Sequence, residues 1–351
     1  MIQSLREVQQ QQGARFEEDS TVPIDFGNDV DAIAAARDGV VVCDRTRWGR
    51  LQLSGVDRQT FLHNQSTNDL KALKPGQGCD TIFVTSTART IDLATAYVLE
   101  DAVLIMVSPS RRHQLIQWLE RYIFFGDKVE LKDLTAETAL FSLMGVQSSA
   151  LLEKLGVDAM KTQPYGNHCM VEIANHPVRV AVGNGLGLEG YTLIVETDHA
   201  AAVWDAIAQA GAVPMGDLAW EQLRIEQGRP MPDAELTEDY NAVEASLWQA
   251  ISINKGCYIG QETIARLDTY KGVKQQIWGI RFDTVATPGT VITVNEEKVG
   301  VLTSLTETAQ GIFGLGYIRT KAGGAGLKVQ VGTSQGELVE VPFLQRSREG
   351  L

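Results

Sequence analysis

The side chains best equipped for chemistry are concentrated in residues 255–266, KGCYIGQETIAR. Gly256 and Gly260 free the backbone for tight, close-approach conformations on either side of Cys257. Residues 261–267 then suit a helix, which places Cys257 on the loop leading to a helix N-terminus, two residues from Lys255. A cation and a helix N-terminus both favour a thiolate. Glu262 and Arg266 have the i, i+4 spacing of a pair along one helix face. The competing reading is a buried structural cysteine in a glycine-bounded turn. Packing alone gives little reason for a stretch so dense in Lys, Gly, Cys, Gln and Glu.

Cys43, Cys79 and Cys169 lie far from Cys257 and from one another, with no C-x-x-C anywhere. That argues against a disulfide framework and against a zinc or iron–sulfur site built from local pairs, so a functional cysteine acts alone and no metal ligands are assigned. His168 and Cys169 are adjacent in a strand-like stretch and so face opposite ways. The glycines between positions 183 and 187 are spaced like a nucleotide loop but precede a strand, which makes a hairpin turn the better reading. His63 follows the apolar pair Phe61 and Leu62 and reads as a helix-end residue.

The elements that must position these residues belong to a chain of 351 residues, 44% hydrophobic, 21% charged and 7% aromatic, which is ordinary globular composition for two or three domains. Net charge is −13, which argues against a nucleic-acid or anionic-membrane surface. No window approaches the ~18 apolar residues of a membrane span. Residues 1–12 show neither an apolar signal core nor a cleavage pattern, so the cytoplasm is the expected setting. Strands are expected at 49–55, 90–100, 102–107 and 128–131. Helices are expected at 57–64 and around Leu115, Trp118, Leu119 and Tyr122, a 3.6-residue apolar stripe after Pro109. That order predicts a split-βαβ, ferredoxin-like unit over 49–135. A second layer has strands at 139–145, 168–174, 177–183 and 191–196, then helices at 200–210 and 218–227, with Asp217 as N-cap and Gly228 as stop. Residues 229–250 read as an extended crossing segment. From position 274, short strands separated by Gly and Asn turns predict an all-β barrel or sandwich.

The segment KGCYIGQE resembles the signature of the YgfZ-type folate-binding proteins, relatives of the aminomethyltransferase (T-protein) of the glycine cleavage system. A mitochondrial iron–sulfur assembly factor belongs to the same branch. FLHNQSTNDL at 61–70, LRIEQGRP at 223–230, ELTEDYNAVEASLW at 235–248 and LGYIR at 315–319 carry the resemblance across nearly the whole chain. It implies an α+β, three-domain ring: a discontinuous α/β domain (1–48 plus 136–250), a ferredoxin-like domain (49–135), a cysteine-motif connector (251–273) and a C-terminal β-barrel (274–351). A reduced folate such as tetrahydrofolate would occupy the central hole.

Departures from the transferase pattern decide between branches. Its Gly-Gly-x-Ile-Asp-Asp strand corresponds to residues 88–93 here, where Asp92 keeps one carboxylate, able to orient an amine or accept its proton. Its Asn after the next strand is Ser108. Its Gly-Glu-x-Gly-Tyr motif becomes residues 187–191, with the acid moved to Glu189. An arginine four positions before Arg224 is Trp220. The resemblance therefore implies a tetrahydrofolate-binding protein, acting as a monomer, that supports assembly or repair of iron–sulfur clusters in client enzymes through Cys257 and Lys255. Its folate contacts would be drawn from Asp92, Tyr191, Trp220, Arg224, Tyr258, Gln261, Glu262 and Arg266. The alternative is a folate-dependent aminomethyltransferase or demethylating transferase with Asp92 as its acid.

Overall fold

The computed structural model describes residues 4–270 and 272–347. The fold is α+β, with two open sheets and a closed six-stranded barrel. By density of contacts the chain divides into two compact units, one of residues 1–59, 71–79 and 95–221 and the other of residues 60–70, 80–94 and 222–351.

The first unit carries helices α1 (Leu5–Gln11) and α2 (Asp29–Asp38), then strand β1 (Val41–Asp44). Ser4 and Glu7 form a reciprocal capping box that starts α1. Strand β2 (Gly49–Ser54) leads into helix α3 (Arg58–Gln65), followed by β3 (Gly78–Val84), β4 (Thr90–Val98) and β5 (Ala102–Val107). Helix α4 (Arg112–Glu120) buries Leu115 and Leu119, and β6 (Glu130–Asp133) follows. The five-stranded sheet has the order β3-β4-β5-β2-β6. The run β6-β2-β5-β4 is the antiparallel order of a ferredoxin-like unit, and β3 extends it at the β4 edge. Residues 80–84 of β3 and 90–94 of β4 fall within the second unit.

The six-stranded sheet has the order β11-β1-β7-β10-β9-β8. Its other strands are β7 (Thr138–Met144), β8 (His168–Ile173), β9 (His176–Val182), β10 (Gly190–Glu196) and β11 (Val213–Met215), with α5 (Ser148–Lys154) after β7 and α6 (Ala200–Gln209) after β10. One apolar core joins this sheet to α6, with Trp204 at zero exposure between the Phe26 and Phe141 rings. Residues 183–187 form part of the β9–β10 hairpin connection, as their position before a strand required.

Helix α7 (Asp217–Gln227) stops at Gly228, whose φ of +84° and contact with Val341 leave no room for a side chain. Asp217 is the first residue of α7 and not its N-cap as expected: the Gly216 carbonyl accepts the Trp220 N–H at 3.1 Å and so holds the cap position, while the Asp217 carboxylate pairs with Arg47 at 2.6 Å. After residues 229–250, which include one short 3-10 turn at Trp248–Ala250, come α8 (Gln261–Thr269) and the barrel. The barrel strands are β12 (Gln275–Phe282), β13 (Val291–Val294), β14 (Glu297–Thr308), β15 (Gly311–Arg319), β16 (Lys328–Val331) and β17 (Ser334–Val339), closed in the order β12-β15-β14-β13-β16-β17. Among the described residues no helix is long and apolar enough to cross a membrane.

Candidate functional site

The Cys257 loop is built from the unfinished end of a helix. The last four carbonyls of any α-helix lack intrahelical donors. In α3 the Leu62 carbonyl accepts from Ser66 Oγ at 2.9 Å, and the Asn64 carbonyl accepts the Ile259 N–H at 3.1 Å. The Lys255 ammonium donates to the carbonyls of His63, Ser66 (2.6 Å) and Asn68 (2.7 Å). An ammonium has three protons, and here three carbonyls receive them. Its positive charge also lies at the negative end of the helix dipole.

The contact is returned from the other side. His63 is buried, with Nε2 2.9 Å from the Lys255 carbonyl and Nδ1 3.2 Å from Asp69 Oδ1. The Lys255 carbonyl can only accept, so it is the His63 Nε2–H that donates to it. Ser252 N–H donates to the Thr67 carbonyl at 3.0 Å, and Thr67 Oγ1 donates to the Ala250 carbonyl at 2.7 Å. Residues 250–259 are thus zipped onto residues 62–69. Lys255 acts as a clamp in this arrangement, and the loop it fixes presents Cys257.

Cys257 is exposed; Cys43 is buried, and Cys79 and Cys169 are half-buried. Burial pushes the thiols of Cys43 and Cys169 up. Gly256 and Gly260 both take left-handed backbone, with φ of +95° and +81°. At Gly260 an added Cβ would meet the Thr85 carbonyl oxygen and Val84 Cγ2 at 2.9 Å. Gly260→Ala is therefore expected to lose about 1–3 kcal/mol of stability, whereas Gly256→Ala, with open space around it, loses about 1 kcal/mol from backbone strain alone. Paired chemical-denaturation curves check the order, and equal losses would refute the close-approach argument.

Tyr258 is 8% exposed, packs with Leu93 and Ile264, and lies under the Lys255 ammonium, 4.7 Å from ring centre to nitrogen. Burial raises its phenol to about 12. The unfolded chain loses that proton near pH 10 while the folded chain keeps it, so this tyrosine makes stability fall as pH rises from 10 towards 12. Absorbance titration of the native protein against Tyr258→Phe should show the missing phenol titrating near 12; a midpoint near 10 would contradict the burial. Gln261 Oε1 accepts the Tyr258 N–H at 3.3 Å. Glu262 and Arg266 are exposed on α8, and their anticipated i, i+4 ion pair does not form.

Asp92 is fully buried in β4. Just before it, Thr90 N–H donates to the Tyr240 carbonyl at 3.2 Å and Arg89 Nη1 to the Asp239 carbonyl at 2.7 Å. Leu93, its neighbour on the opposite face, packs in the same core as Tyr258. Arg224 is buried against Glu235, Nη1 to Oε2 3.0 Å, and its Nη2 donates to Ser304 Oγ at 2.9 Å. Glu235, at zero exposure, also accepts from Met231 N–H, Thr303 Oγ1 and Ser304 Oγ. Its backbone carbonyl accepts the hydroxyl of Tyr317, whose ring stacks on Tyr240 at 3.5 Å. Asp92, Arg224, Lys255, Cys257, Tyr258, Gln261, Glu262 and Arg266 all belong to the second unit.

Tyr191 and Trp220 belong to the first. Tyr191 packs in the sheet core, with its hydroxyl 2.7 Å from Ser149 Oγ. The Arg45 guanidinium lies 3.5 Å from the Trp220 ring centre and 4.1 Å from that of Trp48, and the two indoles meet edge-on. Buried cation–π contacts of this kind are worth about 2 kcal/mol. Of the residues expected to contact a folate, Asp92 is a buried carboxylate with an interaction of its own and Arg266 is an exposed cation. The aromatic candidates are committed to their own packing and Arg224 to Glu235. Among the described residues no three His, Cys, Asp or Glu side chains gather to hold a metal. Sequence reasoning missed the site roles of His63, Asp69, Thr67 and Glu235. The one available signal was that KGCYIGQE and FLHNQSTNDL both stood out; nothing in either showed that they bond to each other.

Residues 5–255 match the GCVT N-terminal domain family. The chain belongs to that family. It is 47% identical to a chloroplastic protein of Arabidopsis thaliana that bears a provisional transferase name, over 95% of this chain and 78% of that one. It is 27% identical to the aminomethyltransferase of Geobacillus kaustophilus over 93% of each. The crystal structure of the glycine cleavage system aminomethyltransferase T from Bartonella henselae superposes with a TM-score of 0.85, covering 99% of both chains at 19% identity. The fold is that of the T-protein.

Proposed function

We propose that this member of the GCVT family binds tetrahydrofolate or a derivative and supports the assembly or repair of iron–sulfur clusters in client enzymes through Cys257. The observation that carries the reading is the exposed thiol on a loop clamped to the end of α3. A side chain with a merely structural task is buried, as Cys43 is. The folate half rests on family membership and on the buried carboxylate of Asp92, suited to a ring amine, with Arg266 suited to a glutamate carboxylate. The cluster is cargo here; the clients, a monomeric state and a cytoplasmic setting belong to the same proposal.

The test pairs two measurements. In cells lacking the endogenous protein, Cys257→Ala should lose most of the support of iron–sulfur enzyme activity that wild type restores. Anaerobic calorimetry should show both proteins binding tetrahydrofolate alike, because an exposed side chain is removed without disturbing the fold. Full rescue by Cys257→Ala would sink the thiol assignment.

A second reading, aminomethyl transfer, is favoured by Asp92 and by the transferase relatives. It requires methylene-tetrahydrofolate formation from an aminomethyl donor, abolished in Asp92→Asn. No turnover by wild type removes it.

A further inference from the structure

The two open sheets have four edges, and an edge strand carries a row of N–H and C=O groups that invites another chain. Among the described residues three of the four are covered or blunted. On β3, the Ile82 carbonyl accepts the Thr67 N–H at 3.1 Å, the Ile82 N–H donates to Thr67 Oγ1 at 2.9 Å, and Asn68 Nδ2 donates to the Asp80 carbonyl at 2.7 Å. On β11, Pro214 has no N–H to offer and its carbonyl accepts from Asn28 Nδ2 at 3.0 Å. On β6, the exposed Glu130 and Lys132 guard the edge with charge.

Strand β8 is the fourth edge. Ala174 and Asn175, with φ of +54° and +62°, make the two-residue turn that joins β8 to β9. The turn makes Ile173 and His176 a hydrogen-bonded pair, and 171–178 and 169–180 follow in the same phase. The N–H and C=O groups of His168, Met170 and Glu172 therefore point away from β9. The His168 N–H accordingly donates to the Gly76 carbonyl at 2.8 Å. Among the described residues the Met170 and Glu172 N–H groups have no acceptor. Beside them runs a cleft of about 690 Å³, whose walls include Leu155, Met170, Val171, Glu172 and Pro177. Val171 is only half-buried on the core face, and Met170 on the outer face is exposed.

We propose that the β8 edge accepts an extended segment of a partner protein as a further strand of the six-stranded sheet. Alternation sets the chemistry of that segment. The residue opposite Val171 enters the cleft that Val171 and Leu155 line, and it is apolar. The residue opposite Glu172 faces outward and is basic, because Glu172 is exposed and among the described residues has no ion-pair partner. A second copy of the chain fits poorly. Two β8 edges paired about a two-fold axis at Val171 set each Glu172 against a Met170 and leave both carboxylates unanswered. The contact is only a few residues long, where a stable interface buries about 1,200–2,000 Å².

The experiment is fluorescence anisotropy with three labelled octapeptides: one alternating Lys and Val, one alternating Glu and Val, and the Lys/Val peptide N-methylated at its lysines. The Lys/Val peptide should bind wild type about tenfold tighter than either of the others. The N-methylated peptide keeps the charge and loses the pairing N–H groups, so it separates strand addition from the general pull of a chain of net charge −13. Glu172→Lys should invert the preference between the Lys/Val and Glu/Val peptides. Glu172→Pro, tolerated where an edge N–H faces outward, should weaken both. No binding of the Lys/Val peptide, equal binding of its N-methylated form, or an unchanged preference in Glu172→Lys would each overturn the proposal. Sedimentation tests the other occupant: a wild-type dimer that Glu172→Pro dissolves gives the edge to a second copy and overturns the proposal, and a monomer in both supports it.

Discussion

Glu235→Ala will lower the free energy of unfolding by about 3–5 kcal/mol, seen as a drop in the urea midpoint at unchanged slope. Glu235 has no solvent exposure and accepts from the Arg224 guanidinium, the Met231 N–H and the hydroxyls of Thr303 (2.7 Å) and Ser304 (2.6 Å). Its removal leaves a buried guanidinium facing a hole and further donors without their acceptor, each a desolvation penalty in its own right. Against a typical stability of about 5–15 kcal/mol this is a large fraction. The partner experiment separates a broken pair from the net worth of the pair. Arg224→Met combined with Glu235→Leu replaces the charges by apolar groups of similar bulk and should recover most of the loss. A single Glu235→Ala variant within 1 kcal/mol of wild type would show that water reaches the pair. Arg224 is thereby assigned to holding α7 on the barrel strand that carries Ser304.

Lys255→Met should open the loop it clamps. The His63, Ser66 and Asn68 carbonyls lose their shared donor, and an orphaned buried acceptor costs about 1–3 kcal/mol. Local opening lets water satisfy them, so the cost appears as lost protection instead of global unfolding. The amides of Ser252 and Ile259, bonded to the Thr67 and Asn64 carbonyls, are the reporters. Their hydrogen exchange should accelerate about 10–100-fold, the equivalent of one to two such bonds. Lys255→Arg should not restore protection, because a planar fork cannot direct three protons at three carbonyls as a tetrahedral ammonium does. Exchange as slow as wild type in Lys255→Met would refute the clamp. The same variant separates the two tasks of the motif: if Cys257 works only when held, loss of iron–sulfur support should accompany loss of protection.

The barrel was legible because its strands alternate and are punctuated by Gly and Asn, and α4 because Leu115 and Leu119 repeat at helical spacing. Other elements were illegible for identifiable reasons. Strand β3 begins Gly-Cys-Asp, in which Gly and Asp have poor strand preference, and only its last positions are an apolar run. Strand β11 is three residues long with Pro214 at its centre, tolerated because β11 is a sheet edge paired only with β1. Strand β6, expected at 128–131, lies at Glu130–Asp133; as an exposed edge it has no apolar alternation to mark its ends, and its place is set by pairing with β2. Within the site, the types and spacing of Lys255, Gly256, Cys257 and Gly260 were readable. The Lys255 ammonium's destination was not, because backbone carbonyls leave no trace in side-chain patterns. The commitments of Trp220 to Arg45 and of Arg224 to Glu235 were hidden for the related reason that both partners come from irregular loops.

The helix end at His63 and the lysine that completes it are 192 residues apart. A ribosome adding about 5–20 residues per second delivers that lysine roughly 10–40 s after α3 has emerged. Through that interval the helix terminus waits with open carbonyls, and its last turn frays on a sub-microsecond timescale. Closing so long a loop must precede any gain from the contact, which makes this junction a late event in folding. The thiol is therefore held on its clamped loop only in a chain whose synthesis has passed the cysteine and whose two distant segments have met, so nascent chains and truncated fragments carry Cys257, if at all, on an unformed loop.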